Sequence, residues 1–196
     1  PGPGEGYAAP RPAREDSVMA SAQTLRRTAA LMERPIEWIG RSLGVLVVML
    51  VLLLFAVVML RYGWGQAWPW MREGVQALNA AVFLLGASYA LQQGEHVRID
   101  VFSRRFSPRL RAIVESACIV FLLLPFCVFV FMVSDHYVWA SIAISERSPE
   151  PGGLPLVWPI KALIPAMALL LGWQGLALLL RALADVLAPP AAESVP

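Results

Sequence analysis

The stretch SLGVLVVMLVLLLFAVVML, residues 42–60, runs for 19 residues without an Asp, Glu, Lys or Arg. As a helix rising about 1.5 Å per residue it measures roughly 28 Å, close to the ~30 Å hydrocarbon core of a bilayer. Three more blocks share this property, at residues 74–94, 116–134 and 162–180. The whole chain agrees: of 196 residues, 58% are hydrophobic and 15% charged, where soluble domains carry about 25% charge. Four buried helices of a soluble domain would need amphipathic partners to cover them, and only short connections and polar tails are left to supply these. The sequence therefore predicts an all-α membrane protein with four transmembrane helices, with spans near 42–60, 74–94, 112–134 and 162–180.

Working outward, residues 1–18 are expected to be a disordered or artefactual leader. Residues 19–35 form a cytoplasmic or interfacial segment, 36–183 the four-helix membrane domain, and 184–196 a cytoplasmic tail. The first block is read as a retained span, because a long polar stretch precedes it and no small-residue cleavage site follows. Within the segment before it, Leu25, Ala29, Met32 and Ile36 recur on one helical face, away from Arg26, Arg27 and Arg34. That pattern suits either a short helix on the inner membrane surface or a solvated lead-in, with Pro35 as a place to break or turn.

Basic residues set orientation, since Lys and Arg are retained on the cytoplasmic side. Arg11, Arg14, Arg26, Arg27, Arg34, Arg41, Arg98, Arg104, Arg105, Arg109, Arg111 and Arg181 fall on one side of the four spans. Only Arg61, Arg72, Arg147 and Lys161 fall on the other. Both termini are thus expected in the cytoplasm. Trp64, Trp68, Trp70, Trp139 and Trp158 cluster in or beside the outer connections, as an aromatic belt requires, and Lys161 reads as an interface anchor.

The spans lack what pumps and proton-coupled carriers keep at depth, an ionisable side chain. The two histidines, His96 and His136, are assigned to connections on opposite sides, which argues against a haem bundle. Cys118 and Cys127 lie on opposite faces of one helix and share neither a metal nor a disulfide. No catalytic, cofactor or metal motif is present, and nothing points to nucleic acid. Within the spans, Asn79, Ser88 and Gln174 are the notable polar groups. By helical rise Asn79 lies about 8 Å and Ser88 about 21 Å inward from Gly74, and Gln174 about 18 Å inward from Ala162. Ser88 and Gln174 share a level and are read as hydrogen-bonding between spans two and four, or to a partner; substrate binding is the rival role.

Two connections carry more information. The inner one reads Gly94, Glu95, His96, Val97, Arg98, Ile99, Asp100, Val101, Phe102, followed by Ser107, Pro108 and Arg111. Ser107 as N-cap with Pro108 at the first helical position signals the start of the third helix. Arg98 and Asp100 read either as a polar cluster or as simple positive-inside anchoring. The outer one carries Pro151, Gly152, Gly153, Leu154 and Pro155, then Trp158, Lys161 and Pro165, a turn-rich loop.

In these residues, with the Arg61-Tyr62 pair and Gln174-Gly175, the sequence resembles the small membrane subunit of tripartite ATP-independent periplasmic (TRAP) transporters over about residues 36–183. The resemblance implies a non-enzymatic subunit of the bacterial inner membrane, with no cofactor. Its implied partners are membrane lipid, a large permease subunit that carries the substrate and sodium sites, and a periplasmic substrate-binding protein delivering an organic acid. The family-motif residues Gly94, His96, Arg98, Asp100, Ser107, Pro108, Arg111, Gly152, Gly153 and Lys161 are implied to serve assembly. A self-contained four-helix carrier or channel, lined by Asn79 and Gln174, is the alternative.

Overall fold

A computed structural model describes residues 13–66, 68–94 and 108–188. Four long helices account for nearly all of them. Helix α1 is Ala13–Gly63 and α2 is Pro69–Gln92. Helix α3 covers residues 108–143, as α-helical Pro108–Cys118, a π-helical turn Ile119–Leu123 and α-helical Leu124–Ala143; α4 is Trp158–Leu187. All four are long and apolar enough to cross a membrane.

Local chemistry sets the ends. Trp68 is extended and Pro69 opens α2 where the missing amide hydrogen costs nothing. The Gln93 amide donates to the Tyr89 carbonyl and Gly94, at φ 74°, turns the chain out of the helix. Helix α3 starts at Pro108 as the sequence predicts. Pro125 lies 17 residues into it and has no N–H to return to the preceding turn; the π turn at 119–123 directly ahead of it absorbs that defect without breaking the helix.

Helix α4 is the hub, packing against α1, α2 and α3, and α1 also packs on α2. Small side chains make the hub possible: Ala168, Gly175, Ala177, Ala182 and Ala184 of α4 are buried. A Cβ at Gly175 would lie 2.7 Å from Leu123 Cδ2, and one at Gly172 would lie 3.5 Å from Cys127 Cβ, so these glycines set the close approach of α3. Gly40 likewise leaves room for the Tyr89 ring where α1 crosses α2. Cys127 is buried and Cys118 exposed, on opposite sides of α3 as expected.

Three expectations change. Helix α1 passes through Pro35 without interruption, so no separate short helix precedes the first span. Pro35 lies on the exposed side, and Leu31, whose carbonyl it leaves without its usual partner, is itself exposed. The face of Leu25, Ala29, Met32 and Ile36 is real, and it is turned toward the other helices of the bundle. Ala22, Ala29, Ile36 and Leu43, at heptad spacing, are buried, and Trp173 and Arg181 of α4 reach the same segment of α1. Finally, α3 continues nine residues past the apolar block, so His136 is helical and does not sit in a connection.

Candidate functional site

The alternating helices leave two ends, one carrying the connections after α1 and α3 and the other carrying the start of α1 and the end of α4. Each end holds a distinct polar assembly.

At the loop end the Pro151–Pro155 turn is closed by its own backbone. Gly153 N–H donates to the Glu150 carbonyl at 2.9 Å and Ser148 N–H to the Leu154 carbonyl at 3.1 Å. Gly152 sits at φ 77°, which favours glycine. Gly153 is needed for space: a Cβ there would run into the Ser148 side chain and lie 2.8 Å from Glu73 Oε1. Glu73 reaches into this turn from the start of α2. One carboxylate oxygen accepts the Ser148 hydroxyl and the other accepts the Leu154 N–H at 2.6 Å. Beside it, Arg72 pairs with Glu150.

The other limb of the loop is tied to α3 and α4. Glu146 N–H donates to the Ser141 carbonyl, and the Glu146 carbonyl accepts from Val157, both at 3.0 Å. The Glu146 carboxylate pairs with Lys161, whose Nζ lies 3.9 Å from the centre of the Tyr137 ring. The Lys161 hydrogen bond, ahead of a Ser141 contact, holds the Glu146 carboxyl below the usual carboxylate range. The loop is thus braced from three helices. Lys161 acts as one of the braces, beyond the anchor role its position suggests.

At the terminus end α1, α2 and α4 converge around Glu33, which is 7% exposed. Its carboxylate pairs with Arg181, and its carbonyl accepts from Gln92 Nε2 at 3.3 Å. Trp173 Nε1 donates to the Met32 carbonyl at 2.8 Å. Two turns before Glu33, Arg26 bonds both Asp185 at 2.8 Å and the Ala188 carbonyl at 2.9 Å, fastening the first half of α1 to the end of α4.

Of the residues singled out from sequence, Gly152, Gly153 and Lys161 come together in the braced loop. Gly94 and Pro108 mark helix ends, and Arg111 is exposed on the first turn of α3. His96, Arg98, Asp100 and Ser107 lie outside the described residues. Ser88 and Gln174 are both fully buried, yet the expected bond between them is not formed. Ser88 Oγ donates to the Leu85 carbonyl of its own helix, and the Gln174 amide instead stands beside the Glu33 carboxylate, outside ordinary hydrogen-bond geometry. Asn79 is exposed on α2. Sequence reasoning missed Glu33, Glu73 and the partners of Glu146 and Glu150. The available signal was charge balance, since two acids in the outer loop face Arg72 and Lys161 at the flanking helix starts.

Chemically these assemblies hold helices and a loop in place. Among the described residues no group of His, Cys, Asp or Glu side chains is arranged to hold a metal ion. The model of one family, the DctQ component of tripartite ATP-independent periplasmic transporters, matches residues 50–185. No curated protein and no solved structure gives a match.

Proposed function

We propose, for a chain that belongs to the DctQ component family of tripartite ATP-independent periplasmic transporters, the role of non-catalytic small membrane subunit in a sodium-coupled secondary transporter for organic acids. It scaffolds the large permease subunit and offers its braced loop as part of the surface on which the periplasmic substrate-binding protein docks. The observation that carries this reading is the family match, because residues 50–185 take in most of the membrane domain and the whole braced loop. Apolar blocks free of Asp, Glu, Lys and Arg support a scaffold over a carrier, since moving charged cargo needs polar or ionisable groups at depth. The excess of arginines at the terminus end favours both termini in the cytoplasm of a bacterial inner-membrane protein, with the loop end facing the periplasm.

A docking surface must keep its shape between encounters, because ordering a loop on binding subtracts from affinity. The bracing by Glu73, Arg72 and Lys161 supports that use. In the inner connection, His96, Arg98, Asp100, Ser107 and Arg111 are assigned to assembly with the permease. Reconstitution into vesicles with a sodium gradient tests the reading. The chain alone should give no organic-acid uptake, while the chain with its permease and binding protein should. Uptake by the chain alone would overturn it. Replacing Arg98 or Asp100 by Ala should lower recovery of the complex and leave the ligand affinity of the binding protein unmoved; a change in substrate preference would contradict the scaffold role.

A further inference from the structure

Where α1 and α2 end beside the first connection, an open cleft is lined by Val57 and Arg61 of α1, Gln66, and Met71 and Arg72 of α2, with Glu150 at one side. Arg61 directly follows the apolar run 42–60, and Arg72 stands two residues before the block that opens at Gly74. Both guanidinium groups are therefore at the edge of the hydrocarbon, the level of lipid phosphates on either side of a bilayer.

Their situations differ. Arg72 is paired with Glu150, whereas Arg61 has no carboxylate within ion-pairing distance among the described residues and rests 5.9 Å from the ring centre of its neighbour Tyr62. The cleft therefore carries one uncompensated positive charge. Below it the wall is apolar. Val57 lies one turn inward from Arg61 on the same face of α1, and one further turn inward Leu53 packs against α2 beside Gly74. A single positive charge at headgroup level above an apolar wall matches a molecule with one net negative charge and a hydrocarbon tail.

We propose that this cleft is a binding site for a net-anionic glycerophospholipid. The phosphodiester accepts hydrogen bonds from the Arg61 guanidinium and from the donors of Arg72 not used by Glu150, and the acyl chain lies along Val57. A planar guanidinium presents two parallel donors to a phosphate, which an ammonium does not. A zwitterionic lipid fits less well, because its own ammonium would be brought beside a cleft that is already positive. The proposal depends only on the chain crossing a bilayer and stands apart from the transporter reading.

Native mass spectrometry of the full chain, released from micelles holding equal amounts of phosphatidylglycerol and phosphatidylethanolamine, tests it. One phosphatidylglycerol adduct should be retained over phosphatidylethanolamine by roughly fivefold, the value of one basic side chain near an anionic headgroup. R61Q should lower that adduct about tenfold, and R61K should recover part of it. V57W, which crowds the apolar wall and leaves every charge in place, should lower it as well. Inorganic phosphate should displace nothing. Equal retention of the two lipids, or retention indifferent to both R61Q and V57W, overturns the proposal. So does displacement by inorganic phosphate together with indifference to V57W, which would make the site one for free phosphate.

Discussion

Gly153→Ala isolates the bracing of the loop with a single methyl group. The added Cβ would lie 2.6 Å from Ser148 Cβ and 2.8 Å from Glu73 Oε1. The Ser148 hydroxyl would be closer still, and ordinary contact begins near 3.4 Å, so the neighbours must retreat by about 1 Å. Neither has much freedom: Ser148 is held through its own N–H on the Leu154 carbonyl, and Glu73 is fixed at both oxygens. Overpacking of this kind costs about 1–3 kcal/mol, which corresponds to roughly a 5–150-fold rise in the open population of the loop. Amide hydrogen exchange reads that population directly, because the Leu154 N–H is occupied by Glu73 and the Ser148 N–H by the Leu154 carbonyl. Both amides should exchange faster by that factor in G153A, with exchange in α3 unchanged. G152A provides a graded comparison, since its Cβ meets only Pro69 at 4.0 Å and the strain comes from φ alone, about 1–2 kcal/mol or roughly 5–30-fold. If G153A folds and its Leu154 amide exchanges within about twofold of the parent, the loop is not held by the contacts described.

Three further outcomes are expected. Glu146 has its carboxyl held low by Lys161, so its contribution to the loop is present above the unfolded-state value and is lost as pH falls through the lower folded value. Exchange at Val157 should rise only in that acid range, and E146Q should show the raised exchange at every pH and no acid step. R181Q should loosen the first half of α1 by about 1–2 kcal/mol, the low end for a charged hydrogen bond because Arg181 is 46% exposed, and E33Q by less, because burial works against the Glu33 charge. Tryptic cleavage after Arg26 and Arg27 then rises roughly 5–30-fold in R181Q, and a double variant no worse than R181Q alone would verify that the pair acts as a unit. Q174L removes a fully buried amide that stands beside the Glu33 carboxylate outside ordinary hydrogen-bond geometry, so the stability of the isolated chain should hold within about 1 kcal/mol. A clear fall would mean that Gln174 is bonded in the membrane.

The four spans were legible because a bilayer imposes one requirement on every residue of a span, and a run such as 42–60 meets it by composition alone. The start of α3 at Pro108 and the turn at Gly152 were legible for a similar reason, each being fixed by the conformation of one or two residues. Polar partners were not. The depth of Ser88 and Gln174 follows from helical rise, but whether they meet depends on how each helix is rotated about its axis. That rotation is set by contacts such as Gly86 with Leu43 and Gly175 with Leu123, across long stretches of chain. Both side chains are buried at the helix junctions, and still Ser88 turns back on its own helix.

The same distinction explains why the loop end yielded its shape to sequence reading and withheld its bracing. Pro151 to Pro155 announce a turn wherever they are placed, whereas Glu73 meets Ser148 and Leu154 only after α2 and α3 have each packed against α4. Pro35 is the converse case. By itself it favours a break, yet the heptad seam Ala22, Ala29, Ile36 and Leu43 packs across it, and the Glu33–Arg181 and Trp173–Met32 contacts hold the turn just before it. Local preference costs about 3 kcal/mol there, and burial of a continuous seam against α2 and α4 outweighs it. The long α1 is therefore a tertiary product, so cutting the α4 contacts with R181Q and W173F together should expose residues 22–36 to protease while leaving the span at 42–60 in the membrane.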